Sequence, residues 1–359
     1  MTIIPSKAGN IKSNSVSGNN TENNLTLAVG SSKDRNIVNN ESLATNTVKV
    51  DHIRPSDFSQ YLGQSSVVKV LQTSIKAAKV RNEALDHVLF YGPPGLGKTS
   101  LAFVMANELG SKCFATSAKS LERPKDILGL LCQLGPNDIL FIDEIHGLSK
   151  TAEELLYEAM EDFCLTLTTG KGQTTRSIKL PLPKFTLIGA TTRVFNLCKA
   201  LRDRFVFSFR LDFYNTEELS KIVDRASLIL KVKIDNAACL DIAKRARGTP
   251  RIAIRLIKMV RDFSQELNQN LIDKDLVNLA LSHYKVDEYG LDDTDRKFLK
   301  ILIQNFKGGP VGIEAIAQML GEDIQTLQTV CEPYLIQAGF LIRTPRGRTA
   351  TKLAYEHIL

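Results

Sequence analysis

The sequence has few of the features that mark a secreted, membrane-spanning or metal-organised protein. Its six cysteines (Cys113, Cys132, Cys164, Cys198, Cys239 and Cys331) are scattered, with no Cys-x-x-Cys pair. That spacing gives neither a zinc site nor a redox motif. Most sit among apolar neighbours and read as small core residues in a reducing compartment. No apolar run approaches the roughly 20 residues that a bilayer-crossing helix needs. The first residues contain no apolar signal segment, and their mixture of Asp, Glu and Lys argues against an Arg-rich transit peptide. The cytoplasm is therefore the expected location, with no membrane partner. No repeat period is visible. Neither sign of charge dominates: the net charge is +7, which suits a polyanionic partner without specifying one. At 359 residues, 43% hydrophobic and 24% charged, the chain is an ordinary globular one with room for two or three domains of about 100–200 residues each.

Residues 1–48 are rich in Asn, Ser, Thr and Gly. They cannot bury enough apolar surface to offset ordering entropy and are expected to be a disordered tail. Beyond them the pattern turns globular. Val67, Val68, Leu71, Ile75 and Ala78 recur at helical spacing. "HVLFYG" (87–92), "DILFIDE" (138–144) and "FTLIGATT" (185–192) are apolar runs suited to buried parallel strands. Helices between them predict a doubly wound α/β domain over residues 49–213. Within it, 164–180 alternates around "TGKG" and predicts a β-hairpin. From 214 to 286 the strands stop and a small all-α domain is expected, with Asn215 as a helix cap. Residues 287–359 hold three helical stretches and then an extended basic ending, an order that predicts a winged helix.

The chemistry gathers at the ends of the predicted strands. "GPPGLGKT" (92–99) fits the phosphate-loop pattern and lies between a strand and a helix. Gly95 and its neighbouring glycines allow the backbone N–H groups to face phosphates, and the helix N-terminus adds partial positive charge. Lys98 would reach the β- and γ-phosphates, and Thr99 would ligate Mg²⁺. Asp143, ending an apolar strand, would hold the Mg²⁺ through water, and Glu144 would polarise the attacking water. His146 is read as a neutral imidazole contacting the next loop. Thr191 or Thr192 would orient water, or simply cap the strand end. In "LRDRF" (201–205) the residues alone leave two readings open. One is an arginine supplied to a neighbouring subunit, the other a local ion pair with Asp203. Arg251, in "RGTPR", stands where a lid arginine would touch the γ-phosphate.

"GPPGLGKT", "FIDEIH", "IGATTR", "LRDRF" and "GTPR", in this order, resemble an AAA+ ATPase. "EALDHVLFYGPPGLGKTSLA", "RSIKLPLPKFTLIGATTR", "RARGTPRIAIRL", "GGPVG" and "EPYLIQAGFLIRTPRGRTAT" resemble more narrowly the RuvB family of Holliday-junction branch-migration motors, from Ile53 to the C-terminus. The resemblance implies a homohexameric ring on duplex DNA, ATP and Mg²⁺ at subunit interfaces, and action on four-way junctions. It also implies RuvA as partner, with RuvC in the resolvase assembly. Carried over by position, it places Ile53, Arg54, Gly95, Lys98, Thr99, Ser100 and Tyr214 at the nucleotide, together with Glu161, Asp162 and Phe163. It makes Arg204 the arginine acting in trans and Arg251 the lid sensor, and it gives Arg343 and Arg348 to DNA. Such arginines grip phosphates without reading sequence. The hairpin would bind RuvA through Leu165, Leu167 and position 169, where Thr169 replaces an isoleucine-like residue. Gly147, Ser100 and Val206 also depart from the family pattern, and none removes a catalytic group.

Two other AAA+ classes compete. A clamp-loader-like switch would carry a Ser-Arg-Cys arginine motif and a helical collar, where this chain has "LRDRF" and a winged-helix pattern. A protein unfoldase would carry an aromatic pore loop, which "SAKSLERPKDILGL" (117–130) does not supply. A non-catalytic DNA-binding regulator would not need Lys98, Asp143, Glu144, Arg204 and Arg251 intact.

Overall fold

A computed structural model describes residues 53–169 and 176–359. The tail expected over residues 1–48 lies outside the described residues. The chain begins with helix α1 (Ser65–Arg81), which buries Val67, Leu71, Ile75 and Ala78. Four apolar positions on one face fasten it into the core it shares with α2. Next come β1 (Val88–Tyr91), α2 (Lys98–Leu109), β2 (Cys113–Ser117), α3 (Pro124–Leu131), β3 (Ile139–Asp143) and α4 (Lys150–Glu161). The hairpin strands β4 (Cys164–Thr169) and β5 (Arg176–Pro181) follow, then β6 (Thr186–Thr191), α5 (Lys199–Arg202) and β7 (Phe207–Arg210).

Five of these strands form one parallel sheet in the order β2-β3-β6-β1-β7. Its central strand β6 is buried at every position, and β3 at all but Asp143. That burial on both faces explains why these strands read as unbroken apolar runs. In the register, Tyr91 lies beside Thr191 and Ile142 beside Gly189, so the carboxyl ends of β1, β3 and β6 open at one edge. Ligands bind at this edge in open α/β sheets. Two strands went unread in the sequence. Both β2 and β7 are sheet edges and only partly buried, with the alternation of "FSFR" in β7 too short to stand out. The predicted hairpin is present as an antiparallel pair, with Leu165 opposite Leu180 and Leu167 opposite Ile178.

After the sheet, α6 (Thr216–Leu230) starts at Asn215, whose side chain accepts from the Glu218 N–H. Strand β8 (Lys233–Ile234), α7 (Asn236–Lys244), α8 (Pro250–Glu266), β9 (Leu271–Ile272) and α9 (Lys274–His283) complete this section. It is not purely helical: β8 and β9 pair in parallel over two residues each, a contact too short for any sequence periodicity to register. The last section contains α10 (Asp293–Gln304), α11 (Ile313–Leu320) and α12 (Ile324–Thr326), which runs through a π turn at Leu327–Cys331 into α13 (Glu332–Gln337). The basic ending is not simply extended. It folds into a hairpin, β10 (Leu341–Thr344) with β11 (Gly347–Ala350), and closes with helix α14 (Lys352–Ile358). Phe298, Leu302, Ile316, Leu335 and Phe340 form a separate core beneath the hairpin. The expectation of core cysteines holds for only part of the set: Cys239 and Cys331 are buried, Cys132 is exposed, the other three are half-buried, and all are free thiols.

Candidate active site

The phosphate-loop residues lie between the end of β1 and the start of α2. Gly95 and Gly97 have φ of 82° and 97°, values that exclude most side chains. A Cβ on Gly97 would fall 2.7 Å from the Tyr61 hydroxyl. The glycines therefore let the loop turn tightly beneath the segment that precedes α1. Lys98 opens α2 and is only 7% exposed. Its Nζ donates to the Gly92 carbonyl at 2.9 Å and the Pro93 carbonyl at 2.8 Å. Burial lowers its pKa, partly opposed by the charges of Glu144 and Asp143. Thr99 and Ser100, half-buried, line the same cleft.

Across the cleft stands the end of β3. Asp143 is half-buried, and burial raises its carboxyl above the usual range. Its Oδ1 accepts from the Glu144 N–H at 3.0 Å. Glu144 itself adopts a left-handed conformation, φ 49°, a backbone strain of the kind that concentrates at functional sites. The twist turns its carboxylate toward β6, where it accepts from the Thr192 N–H at 3.1 Å and the Thr192 hydroxyl at 3.0 Å. His146 Nδ1 lies 2.8 Å from the Thr191 hydroxyl and 3.2 Å from Glu144 Oε2. Burial is the main reason its pKa is lowered, so at neutral pH it is an uncharged link between the two strand ends. The two threonines therefore differ: Thr192 faces the cleft, whereas Thr191 is fully buried and ties down the imidazole.

The cleft, of about 680 Å³, is closed from the other sides by the segment before α1 and by the helical section. Ile53 is buried, and its carbonyl accepts from Arg225 Nη2 at 2.8 Å. The Arg54 guanidinium lies 5.6 Å from the Phe103 ring centre. The Tyr214 hydroxyl donates to the Leu96 carbonyl and meets the Tyr61 hydroxyl, each at 3.2 Å. Arg251 reaches the phosphate loop through its backbone, its N–H donating to the Gly95 carbonyl at 3.3 Å, and its side chain lines the cleft. Three cleft cations were missed in the sequence: Arg225 on α6, and Arg255 and Lys258 on α8. Arg251, Arg255 and Lys258 follow the spacing i, i+4, i+7. That stripe was visible in principle as one basic helix face.

The remaining nucleotide residues expected from the resemblance do not enter this chain's cleft. Glu161, Asp162, Phe163 and Arg204 are absent from its lining. Phe163 instead packs against His87 and Phe185. Arg204 does not pair with Asp203. Its Nη2 meets Glu161 Oε2 at 2.5 Å.

At the C-terminal hairpin, Arg343 and Arg346 are exposed and line a concavity of about 490 Å³. Arg348 differs from the free DNA contact expected of it. It is 8% exposed, and its Nε and Nη2 donate to the Glu332 carboxylate at 2.9 and 3.0 Å. Arg343 sits directly across from Arg348 in the hairpin. Glu332 neutralises what would otherwise be a like-charge pair. Leu165 of the central hairpin is buried, so its side chain belongs to the core and is not offered at the surface. The side chains of Leu167 and Thr169, and the tip over 170–175, lie outside the described residues.

A phosphate loop after β1, an Asp-Glu pair at the end of β3, a polar end to β6 between those two strands and a lid arginine, carried on this sheet order, define an AAA+ P-loop ATPase with an appended winged helix. Comparison with known proteins narrows the class. Three family models match in succession: the Holliday junction DNA helicase RuvB P-loop domain over residues 53–211, the RuvB AAA lid domain over 214–287 and the RuvB C-terminal winged helix domain over 288–359. The Holliday junction branch migration complex subunit RuvB of Prochlorococcus marinus is 53% identical over 311 residues, covering 86% of this chain and 87% of that protein. Its counterpart in Trichormus variabilis is 53% identical over 308 residues, covering 86% and 84%. The solved Thermotoga maritima RuvB Holliday junction branch migration motor superposes with a TM-score of 0.77 at 47% identity, covering 86% of this chain and 98% of that one. The chain belongs to the RuvB family.

Proposed function

We propose that this chain is an ATP-driven motor that moves four-way DNA junctions, working as a homohexameric ring around duplex DNA. One observation carries the reading. A cleft equipped for phosphoryl transfer and an arginine-bearing winged helix occur in one chain, and the lid section lies between them in sequence. In this reading residues 49–213 are the motor, 214–286 the lid and 287–359 the DNA grip.

The cleft residues fit Mg²⁺-ATP. The Thr99 hydroxyl and Asp143 carboxylate are hard oxygen donors suited to Mg²⁺. No cluster of three or more metal-ligating side chains exists among the described residues, so the ion would arrive with its nucleotide. When bound, Mg²⁺ neutralises charge on the β- and γ-phosphates. Lys98 is already poised over the loop, with two of its three protons on loop carbonyls, and can shift these to phosphate oxygens. Gly95, Thr99 and Ser100 hold the phosphates. Ile53, Arg54 and Tyr214 flank the rest of the nucleotide, and Arg251 senses it from the lid. Glu144 is aimed by Thr192 and His146 as the group that takes up the attacking water's proton. Catalysis here is positioning and electrostatics.

Because Arg204 and the Glu161–Phe163 segment stand outside their own cleft, we assign them to the nucleotide of a neighbouring subunit. Arg343 and Arg346 contact duplex phosphates. Arg348 braces the hairpin through Glu332 and has only Nη1 left to offer. The hairpin β4–β5 is the docking surface for RuvA, with RuvC joining in the resolvase assembly, and the cytoplasm is the site of action. A synthetic four-way junction with Mg²⁺ and ATP, with and without RuvA, tests the proposal. ATP-dependent conversion to two duplexes, raised by RuvA and lost in Lys98→Ala, is the expected result. ATP hydrolysis with no junction processing under any condition would contradict it.

A further inference from the structure

Arg204 is held by more than its ion pair. Its Nη1 donates to the Ala200 carbonyl at 2.8 Å, its Nη2 meets Glu161, and its Cζ lies 5.0 Å from the centre of the Tyr157 ring. Its Nε is buried without a hydrogen-bond partner among the described residues. Tyr157 and Glu161 are i and i+4 on α4, so the last turn of that helix presents an aromatic face and a carboxylate side by side. The Tyr157 hydroxyl is hydrogen-bonded to Cys198 Sγ, and that same sulfur accepts from the Leu201 N–H at 3.4 Å, capping α5. Arg204 follows α5 by two residues. The ring, the thiol, the capped helix and the guanidinium thus form a closed loop.

We infer that Tyr157 is the positioning residue for Arg204: its ring, pinned through Cys198, is the platform on which the guanidinium pivots toward a neighbour's phosphates. This rests on the reading of Arg204 as the arginine acting in trans. The physical argument separates the three restraints. The bonds to Glu161 and Ala200 are directional, and both are given up when the guanidinium turns to phosphate. A cation over a ring face keeps its attraction through a rotation. Tyr157 therefore restrains Arg204 both parked and engaged, and limits the conformational freedom lost on engagement.

The test measures steady-state ATP turnover and nucleotide Kd for full-length Tyr157→Leu, Tyr157→Phe and Arg204→Ala. Each variant is also mixed with Lys98→Ala chains. Tyr157→Leu is expected to lower kcat about tenfold, the scale of one partly desolvated cation–π contact, with nucleotide Kd unchanged. Tyr157→Phe, which keeps the ring, should stay within about threefold of the parent, since it loses only one weak hydrogen bond. Mixing Tyr157→Leu with Lys98→Ala chains should raise turnover per intact cleft, because those clefts then face arginines on undisturbed platforms. A parental kcat in Tyr157→Leu would overturn the inference. So would loss of nucleotide binding with no recovery on mixing, or a Tyr157→Phe defect as deep as that of Tyr157→Leu. Parental turnover in Arg204→Ala would instead remove the underlying reading of Arg204 and is seen independently of any Tyr157 result.

Discussion

The cleft at the sheet edge and the joint beneath the C-terminal hairpin both bury charge, and they use it in opposite ways. In the cleft, Lys98 is held by neutral carbonyls, and Asp143 and Glu144 by N–H and hydroxyl groups, so among the described residues none of these three charges is cancelled by a close partner of opposite sign. In the C-terminal section, Arg348 is matched bidentately by Glu332, and Asp295 and Asp292 meet Arg247 of the preceding helical section at 2.6 Å and 3.2 Å. Charge left without a counter-charge is poised for a ligand. Charge fully matched fixes geometry. The difference separates chemistry from architecture in a chain where both rely on arginine and lysine.

The largest expected effect is at the cleft. Lys98→Ala should lower ATP turnover by at least about a thousandfold, as the main fixed cation at the transferring phosphoryl group is removed. Thermal stability should change little, since a partly desolvated cation is lost together with its bonds. A thermal melt and a turnover assay on one preparation check both halves. At the joint the pattern should reverse. Glu332→Ala strands a buried Arg348 and should destabilise the winged helix by about 3–5 kcal/mol. DNA-independent ATP turnover at low temperature should remain. Glu332→Leu combined with Arg348→Met should cost less than Glu332→Ala alone, read by urea unfolding. Were the single and double variants equally damaging, the matched-charge account of this joint would fail.

Asp295 sharpens the comparison through pH. It is fully buried, and burial raises its carboxyl pKa to about 6, with Arg247 pulling the other way. A carboxyl whose folded pKa lies above its unfolded value binds more protons when folded. Its contribution therefore favours folding at low pH and weakens as pH rises from about 4 through 6. Between pH 4 and 7 the loss is on the order of 2–3 kcal/mol by linkage. Asp295→Asn should flatten that part of the pH profile relative to the parent, measured by urea unfolding at pH 5 and pH 7. An unchanged slope would show that Arg247 keeps Asp295 ionised throughout. The smallest effect is at the exposed wing. Arg343→Ala should weaken duplex binding uniformly across sequences and reduce the salt slope by about one unit. A change confined to particular sequences would mean base contact.

The sequence disclosed most where function depends on neighbours in the chain. The phosphate loop, the Asp143–Glu144 pair and Arg251 each sit in short stretches whose strand or helix context is itself readable. Hence the outline of the cleft is legible in the sequence itself. What stayed hidden depends on distant pairing. The edge strands β2 and β7 are half-exposed and lack the apolar run that betrayed β1, β3 and β6. The β8–β9 contact is two residues long. Glu332 gives no local sign that it will claim Arg348, so an arginine expected on DNA turned out to be largely internal. Tyr157 carries no local sign of its role. Its place under Arg204 arises only when α4 and α5 pack together.

The central claim, which rests on the proposed function, is that each chain grips the nucleotide in its own P-loop cleft and that a neighbour's Arg204 completes the catalytic machinery. The most direct test measures nucleotide binding and ATP turnover per chain across a dilution series spanning ring assembly, for the parent and for Arg204→Ala. The account predicts binding at every concentration in both. It predicts turnover that rises steeply as rings form in the parent and stays absent in the variant. Turnover per chain that is constant down to the monomer and indifferent to Arg204→Ala would contradict it.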